Sequence, residues 1–227
     1  MSPSTRVQSY DKIALNSNVV LDLPGFEGAG SVLHDISKNH NNGAIDGASW
    51  VQLPSGLWVL DYDGTDNKVT IAAAASIYPA VGSILFWAKW DSTAVNQSVI
   101  GSNGTATDRW FFGPMGSDNL IYFGIKKANV WGTTNSWLFT DTTSYHQFIL
   151  SFDGTNLKFY VDTVERGTGA STFGLDHLAA QTMWLGNTSG GDFYWNGQMT
   201  LPRIFNSPLS SSEREIYYYQ ELPLMGV

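Results

Sequence analysis

The stretch YHQFILSFDGTNLKFYVDTVER, residues 145–166, decides the fold class of this chain. Phe148, Leu150 and Phe152 alternate with Gln147, Ile149 and Ser151. After the turn-forming Asp153-Gly154-Thr155-Asn156, Leu157, Phe159 and Val161 alternate with Lys158, Tyr160 and Asp162. Successive side chains of a strand point to opposite faces. A period of two on both sides of a short Asp/Gly/Asn turn therefore predicts an antiparallel β-hairpin with one buried face.

The rest of the chain follows the same pattern. In Ser83–Trp90 (SILFWAKW), Ile84, Phe86 and Ala88 share one face and Leu85, Trp87 and Lys89 the other. Val19–Phe26 reads as a first strand, with Pro24 marking an edge position. Further β runs are Ala44–Leu53, Leu57–Asp63, Lys68–Ala72, Gln97–Ile100, Arg109–Phe112, Leu120–Ile125, Trp137–Thr140, Thr182–Gly186 and Phe193–Phe205. Glu27–Gly43, dense in Gly, Asn and Ser, reads as a loop. One helix is expected: Ser210 and Glu213 have capping-box spacing, and the helix should run to about Gln220 and stop near Pro223. Residues 1–18 form an arm without a period, and 19–227 one domain. Many short strands and one terminal helix predict an all-β, antiparallel two-sheet jelly-roll sandwich.

Composition narrows the function. Of 227 residues only 14% are charged, and the net charge is −8. Nucleic-acid binding needs clustered Lys and Arg, and here only Lys126-Lys127 are adjacent. No apolar run approaches the roughly 20 residues that span a bilayer. Zero cysteines exclude disulfides and thiolate metal sites. The first residues, MSPSTRVQSYDKIALNSN, carry no apolar signal-peptide core, which suits a trimmed exported protein or a virion component released by lysis. Polar, uncharged Gly, Ser, Thr and Asn loops suit hydroxyl-rich partners.

Three segments, in order, resemble the laminin G-like branch of the concanavalin A-like lectin/glucanase superfamily. Leu23-Pro24-Gly25-Phe26-Glu27-Gly28, followed by Asp35-Ile36-Ser37 and Asn42-Gly43, resembles its N-terminal strand and D-x-S-G-N-x-x-G loop, with Lys38 where Gly is common. Leu60-Asp61-Tyr62-Asp63-Gly64 through Val69 is similar to the F-D-G-x-x-D-Y-V strand pair. Tyr145-His146-Gln147-Phe148, Phe152-Asp153-Gly154-Thr155 and Tyr160-Val161-Asp162 resemble W-H-H-V and Y-V-D-G, with Thr163 in place of the last Gly. Leu185-Gly186, Trp195-Asn196-Gly197, Arg203-Ile204-Phe205, Leu209-Ser210 and Glu213–Tyr217 resemble the family's ending. The resemblance implies a jelly-roll fold across Val19–Gln220. It leaves function open among lectins, adhesion modules, enzyme appendages and virion components.

The resemblance also implies what to look for. Glucanases of the superfamily carry E-x-D-x-x-E on one strand, and a retaining pair sits about 5–5.5 Å apart. None of the five Glu (27, 165, 213, 215, 221) forms that motif. Asp61 and Asp63 alternate on a strand, but Asp63-Gly64 is a turn signal. His34, His40, His146 and His177 are scattered, and His146 reads as packing. The balance of these residues leans against an enzyme and leaves the question open. Some members hold a structural calcium with the Asp of an I-D-x-V-R strand. That position here is Thr200, followed by Leu201-Pro202, leaving Glu27 and Asp35 as candidate ligands.

Sugar recognition needs an exposed aromatic face against which a pyranose stacks, with polar groups for its hydroxyls. Trp50, Trp58, Trp87 and Trp184 lie in alternating runs and read as core. Trp131, flanked by polar turn residues, is the expected exposed ring, followed by Trp110 and Trp195. The aromatic run Ile216–Tyr219 should dock the helix on a sheet. The sequence therefore points to a non-catalytic, lectin-like domain binding a glycan through loop aromatics, without a cofactor beyond a possible structural calcium. The alternative is a virion structural, decoration or tail protein acting by protein–protein assembly, and a third reading is a polysaccharide-degrading enzyme. The expected setting is extracellular or a virion surface.

Overall fold

A computed structural model describes residues 18–92, 96–114, 120–134, 136–188 and 193–226. The arm expected at 1–18 lies, but for Asn18, outside the described residues. Seventeen strands form two antiparallel sheets among the described residues. The first runs β15 (Val164–Ala170), β14 (Asn156–Val161), β13 (His146–Phe152), β7 (Gly82–Trp90), β17 (Asn196–Phe205), β5 (Trp58–Asp63) and β4 (Ser49–Gln52), with β1 (Val19–Asp22) also on β17. The second runs β11 (Val130–Thr133), β10 (Leu120–Lys127), β9 (Arg109–Pro114), β8 (Ile100–Ser102), β16 (Met183–Leu185), β6 (Lys68–Ile71), β3 (Gly43–Asp46) and β2 (Val32–Leu33). β12 (Trp137–Leu138) also pairs with β10.

The opening hairpin is β13–β14, in the register Phe148↔Val161, Leu150↔Phe159 and Phe152↔Leu157. Asp153 builds its turn: Oδ1 accepts the amides of Thr155 and Asn156, at 2.8 and 2.7 Å, and Gly154 supplies φ +89°. The expectation of one buried face needs correction, because both are covered. Phe148, Leu150, Phe152, Leu157 and Phe159 enter the core between the sheets. Ile149 and Tyr160, on the opposite face, are buried with Leu85, Phe205, Leu209 and Tyr217. A 180° period cannot reveal a second cover that comes from elsewhere in the chain.

That cover is helix α1 (Ser211–Glu221) and the 3-10 turn Leu222–Leu224. The capping box is present: Ser210 accepts the Glu213 amide, and Glu213 accepts the Ser210 amide. Tyr217 and Glu221, one turn apart, face inward. The turn after the helix packs Leu224 and Met225 onto Trp87 and Leu201.

Beneath α1 lies a buried ion cluster. Arg203 donates from Nε to Asp22 Oδ1 at 3.1 Å and from a terminal nitrogen to Glu221 Oε1. Glu221 Oε2 accepts from Trp87 Nε1 at 2.7 Å and Gln147 Nε2 at 3.4 Å. A β-bulge in β17 puts Arg203 there. From Thr200 to Arg203 takes three residues, while their partners Trp87 and Leu85 are two apart. The extra residue, with Leu201 at φ +54°, reverses the strand's parity. Met199 and Ile204 therefore both face the inter-sheet core, while Arg203 and Phe205 face the helix.

Other boundaries shift. The run Ala44–Leu53 is split: Gly47, at φ +80°, ends β3 in one sheet before β4 begins in the other. β15 and β11 lacked a legible period, the former because Val164–Ala170 buries only Gly167.

Removing one member of a buried ion cluster strands the others. Glu221→Ala should lower the unfolding free energy by about 3–5 kcal/mol in urea titration. Tyr219→Ala, on the solvent side of the same helix at 67% exposure, should stay within about 0.5 kcal/mol of the parent.

Candidate functional site

The strand β9 reads Arg109-Trp110-Phe111-Phe112. Trp110 and Phe112 enter the core, so Arg109 and Phe111 take the outer face of the second sheet. Register then aligns Arg109 with Lys126 of β10, and Lys126 with Trp131 of β11. One row crosses three strands on the outer face: two cations and an indole.

Trp131 is 39% exposed. Its ring meets Phe111 edge-on at 5.6 Å between centroids. Gly124 allows this contact, since a Cβ there would lie 2.9 Å from the Phe111 ring and 3.2 Å from Trp131. The Arg109 guanidinium and the Lys126 ammonium each stand 5.5 Å from the indole centroid. Such contacts contribute about 0.5–1 kcal/mol each at exposed sites. Lys126 also donates to the Ala106 carbonyl at 2.6 Å, fixing its head. The neighbouring Asp108 accepts from the Thr107 hydroxyl in its own loop and from the Ala128 amide in the turn between β10 and β11. Those two donors hold its pKa below the usual carboxylate range.

The expected aromatic contacts are therefore separated. Trp131 keeps an accessible ring, although it sits on a strand and not on a loop. Trp110 and Trp195 present no face: both are fully buried. Trp110 packs edge-on against Phe123, and Trp195 packs among Trp90 and Tyr62. Among the tryptophans read as core, only Trp87 is buried, and it lies under the helix. Trp50, Trp58 and Trp184 are half-buried. Arg109, Lys126, Phe111 and Gly124 escaped the sequence reading. The available signal was the parity of β9, since a charged Arg109 turned outward forces Trp110 inward.

The calcium candidates are largely committed to hydrogen bonds, although Glu27 Oε2 is buried without a hydrogen-bond partner. Asp35 Oδ1 accepts the amides of Asp22 and Ser37, at 2.9 and 2.8 Å. Its Oδ2 accepts the Ser37 hydroxyl and the Asn41 amide, at 2.8 and 2.7 Å. Four hydrogens thus point at the carboxylate where a cation would have to sit. Glu27 Oε1 accepts the His34 amide at 3.1 Å and contacts its ring Nδ1 at 2.8 Å. Thr200 donates its hydroxyl to the Trp58 carbonyl at 3.0 Å. Among the described residues, no group of three or more His, Asp or Glu could hold a metal.

The carboxylates read for catalysis are also engaged. Asp63 Oδ1 caps its turn by accepting the Thr65 amide, and Asp61 accepts from Gln198, which is bonded in turn to the Tyr145 hydroxyl. His146, read as packing, is an ion-pair clamp. Nδ1 meets Asp162 and Nε2 meets Asp141 at 3.1 Å, so neither ring nitrogen is open to act as a base. Burial lowers the His146 pKa, but Asp162 and then Asp141 outweigh it, and the net shift is upward. Asp141 is held well below the carboxylate range, chiefly by the Thr143 amide and hydroxyl.

A laminin G-type model described as the concanavalin A-like lectin/glucanases superfamily matches residues 63–213. The chain belongs to this superfamily. No curated protein matches it. Similar solved structures of this superfamily-like fold include domain 4 of AbnA, a GH43 extracellular arabinanase from Geobacillus stearothermophilus, in complex with arabinotriose. Its TM-score is 0.73 at 14% identity, over 88% of this chain and 97% of that one. The binding domain of Paraclostridial Mosquitocidal Protein 1 gives 0.71 at 13%, over 88% and 52%. The botulinum neurotoxin serotype D/C binding domain gives 0.67 at 14%, over 91% and 53%. This concanavalin A-like chain spans about half the length of the two toxin domains.

Two outcomes follow from this geometry. Titration to millimolar calcium should leave the thermal midpoint unchanged, and a rise would contradict the donor-filled Asp35. The clamp sets a pH window. A raised His146 contributes stability present below its ordinary 6.5 and lost as pH rises through the folded value. A depressed Asp141 contributes stability present above its ordinary 3.8 and lost on acidification. Stability should peak between these values, and His146→Gln should flatten the alkaline limb of a denaturation-versus-pH profile.

Proposed function

We propose that this chain is a non-catalytic carbohydrate-binding domain that recognises a glycan through the Trp131 face of the second sheet. The observation that carries the reading is the half-open indole of Trp131, held over Gly124 by Phe111 on a three-stranded support. A ring fixed before the ligand arrives loses little freedom on binding, and polar neighbours stand ready for hydroxyl groups. The likeness to a domain solved with arabinotriose supports the reading at the level of fold. So does the engagement of Asp61, Asp63 and His146 in structural bonds, which favours binding over hydrolysis. No helix among the described residues is long and apolar enough to cross a membrane. We place the domain outside the cell or on a virion surface, where glycans are met.

A second reading, assembly through protein–protein contacts as in a virion or adhesion component, is favoured by one observation. Ile216 and Tyr219 project from α1 at 53% and 67% exposure. Light scattering separates the readings: an oligomer dissolved by Ile216→Ser with Tyr219→Ser supports assembly.

Affinity electrophoresis in gels cast with a panel of polysaccharides tests the first reading. At least one polysaccharide should retard the chain, and Trp131→Ala should weaken that binding at least about tenfold. Equal retardation of parent and variant would remove Trp131 from the site.

A further inference from the structure

We infer that Asp108 is the positioning residue of the Trp131 site, a step that rests on the glycan reading above: its carboxylate holds the turn that carries the indole. β10 and β11 are joined by Ala128 and Asn129, with Lys127 paired to Val130. Both joining residues are left-handed, at φ +49° and +69°. A hairpin turn of that kind favours Asn-Gly, because an ordinary Cβ in this conformation crowds the following carbonyl. Here the first position is alanine, which has neither the freedom of glycine nor a polar side chain to bond its own backbone. The turn therefore needs support from outside itself, and Val130 and Trp131 follow it directly.

The loop between β8 and β9 supplies that support. Asp108 Oδ1 accepts the Ala128 amide at 3.0 Å, and the Thr107 carbonyl accepts the Asn129 amide at 3.1 Å. Both left-handed residues are thus bonded to one loop. Asp108 is itself fixed there. Its Oδ2 accepts the Thr107 hydroxyl at 2.6 Å, and its amide donates to Thr105 Oγ1 at 3.1 Å. Its carbonyl accepts from the Thr105 amide and from Gln181 Nε2, both at 2.9 Å. Lys126, which pairs with Trp131 and stands over its ring, donates to the Ala106 carbonyl of the same loop. The loop therefore grips the hairpin at its tip and at the residue opposite the indole. Without the Asp108 carboxylate, Ala128 is released from the left-handed region, and the ring loses its fixed place over Gly124 and against Phe111. Apparent affinity then falls in proportion to the fraction of molecules that keep the binding-competent arrangement.

Fluorine NMR of the full chain labelled with fluorotryptophan tests this, the Trp131 line being identified by its absence in Trp131→Phe. In Asp108→Ala that line should shift or broaden. The lines of the buried Trp87, Trp90, Trp110 and Trp195 should stay in place, which also shows that the variant is folded. Affinity for the polysaccharide that most retards the parent should fall at least about fivefold. Installing the favoured pair, Ala128→Asn with Asn129→Gly, in the Asp108→Ala background should restore both the line and the affinity, since the turn then supports itself. An unmoved Trp131 line in Asp108→Ala, or a loss that the Asn-Gly pair does not restore, overturns the assignment. If no polysaccharide binds, the glycan reading fails, and the fluorine lines still decide whether Asp108 positions the indole.

Discussion

A buried guanidinium organises one side of this sandwich. Arg203 reaches Asp22 on the first strand and Glu221 at the end of the helix, while Trp87 and Gln147 complete the bonding of Glu221. Burying such charges costs several kcal/mol per ion, recovered only when geometry and hydrogen bonding are nearly complete. The cluster is therefore better understood as a register device than as a source of net stability. It works only if the β17 bulge is present, since without the extra residue Arg203 would point into the inter-sheet core and Ile204 toward the helix. Strand parity, the helix position and the closure of β1 onto β17 are one constraint.

This also explains how the chain departs from its superfamily's pattern. At the bulge, Thr200-Leu201-Pro202 stands where the resemblance placed the Asp of an I-D-x-V-R strand. Thr200 bonds to a carbonyl across the strand and Leu201 packs under Trp87. The carboxylates at this end serve the protein: Asp35 binds amides, and Asp22 binds Arg203. An Asp surrounded by N–H donors ties its loop to β1 by hydrogen bonds.

What could be read from sequence was whatever local period determines. The hairpin turn, the capping box and most strand centres fall in that class, because Asp153, Gly154, Ser210 and Glu213 act on residues two or three positions away. Nonlocal partners were illegible. The second cover over Ile149 and Tyr160 depends on a helix more than 50 residues downstream. Trp131 reads as exposed from its polar neighbours, and its ring is 39% exposed, yet it lies on a strand where a loop was expected, because the glycine and threonines that follow it hide the β11 pairing. Trp110 and Trp195 failed as contacts because an all-aromatic run carries no parity of its own. Arg109 supplies it on β9 once its charge is required to face solvent.

The electrostatics of the candidate site are local. A net charge of −8 repels an anion at long range, but at physiological ionic strength a charge is screened beyond about 8 Å. Beside Trp131 stand Arg109 and Lys126, and the adjacent Asp108 carboxylate, kept ionised by the Thr107 hydroxyl and the Ala128 amide, offsets part of their charge. Two cations set against an aromatic ring hold the Trp131 indole in place by cation–π contact. The strand register lines up Arg109, Lys126 and Trp131, with no specialised loop required.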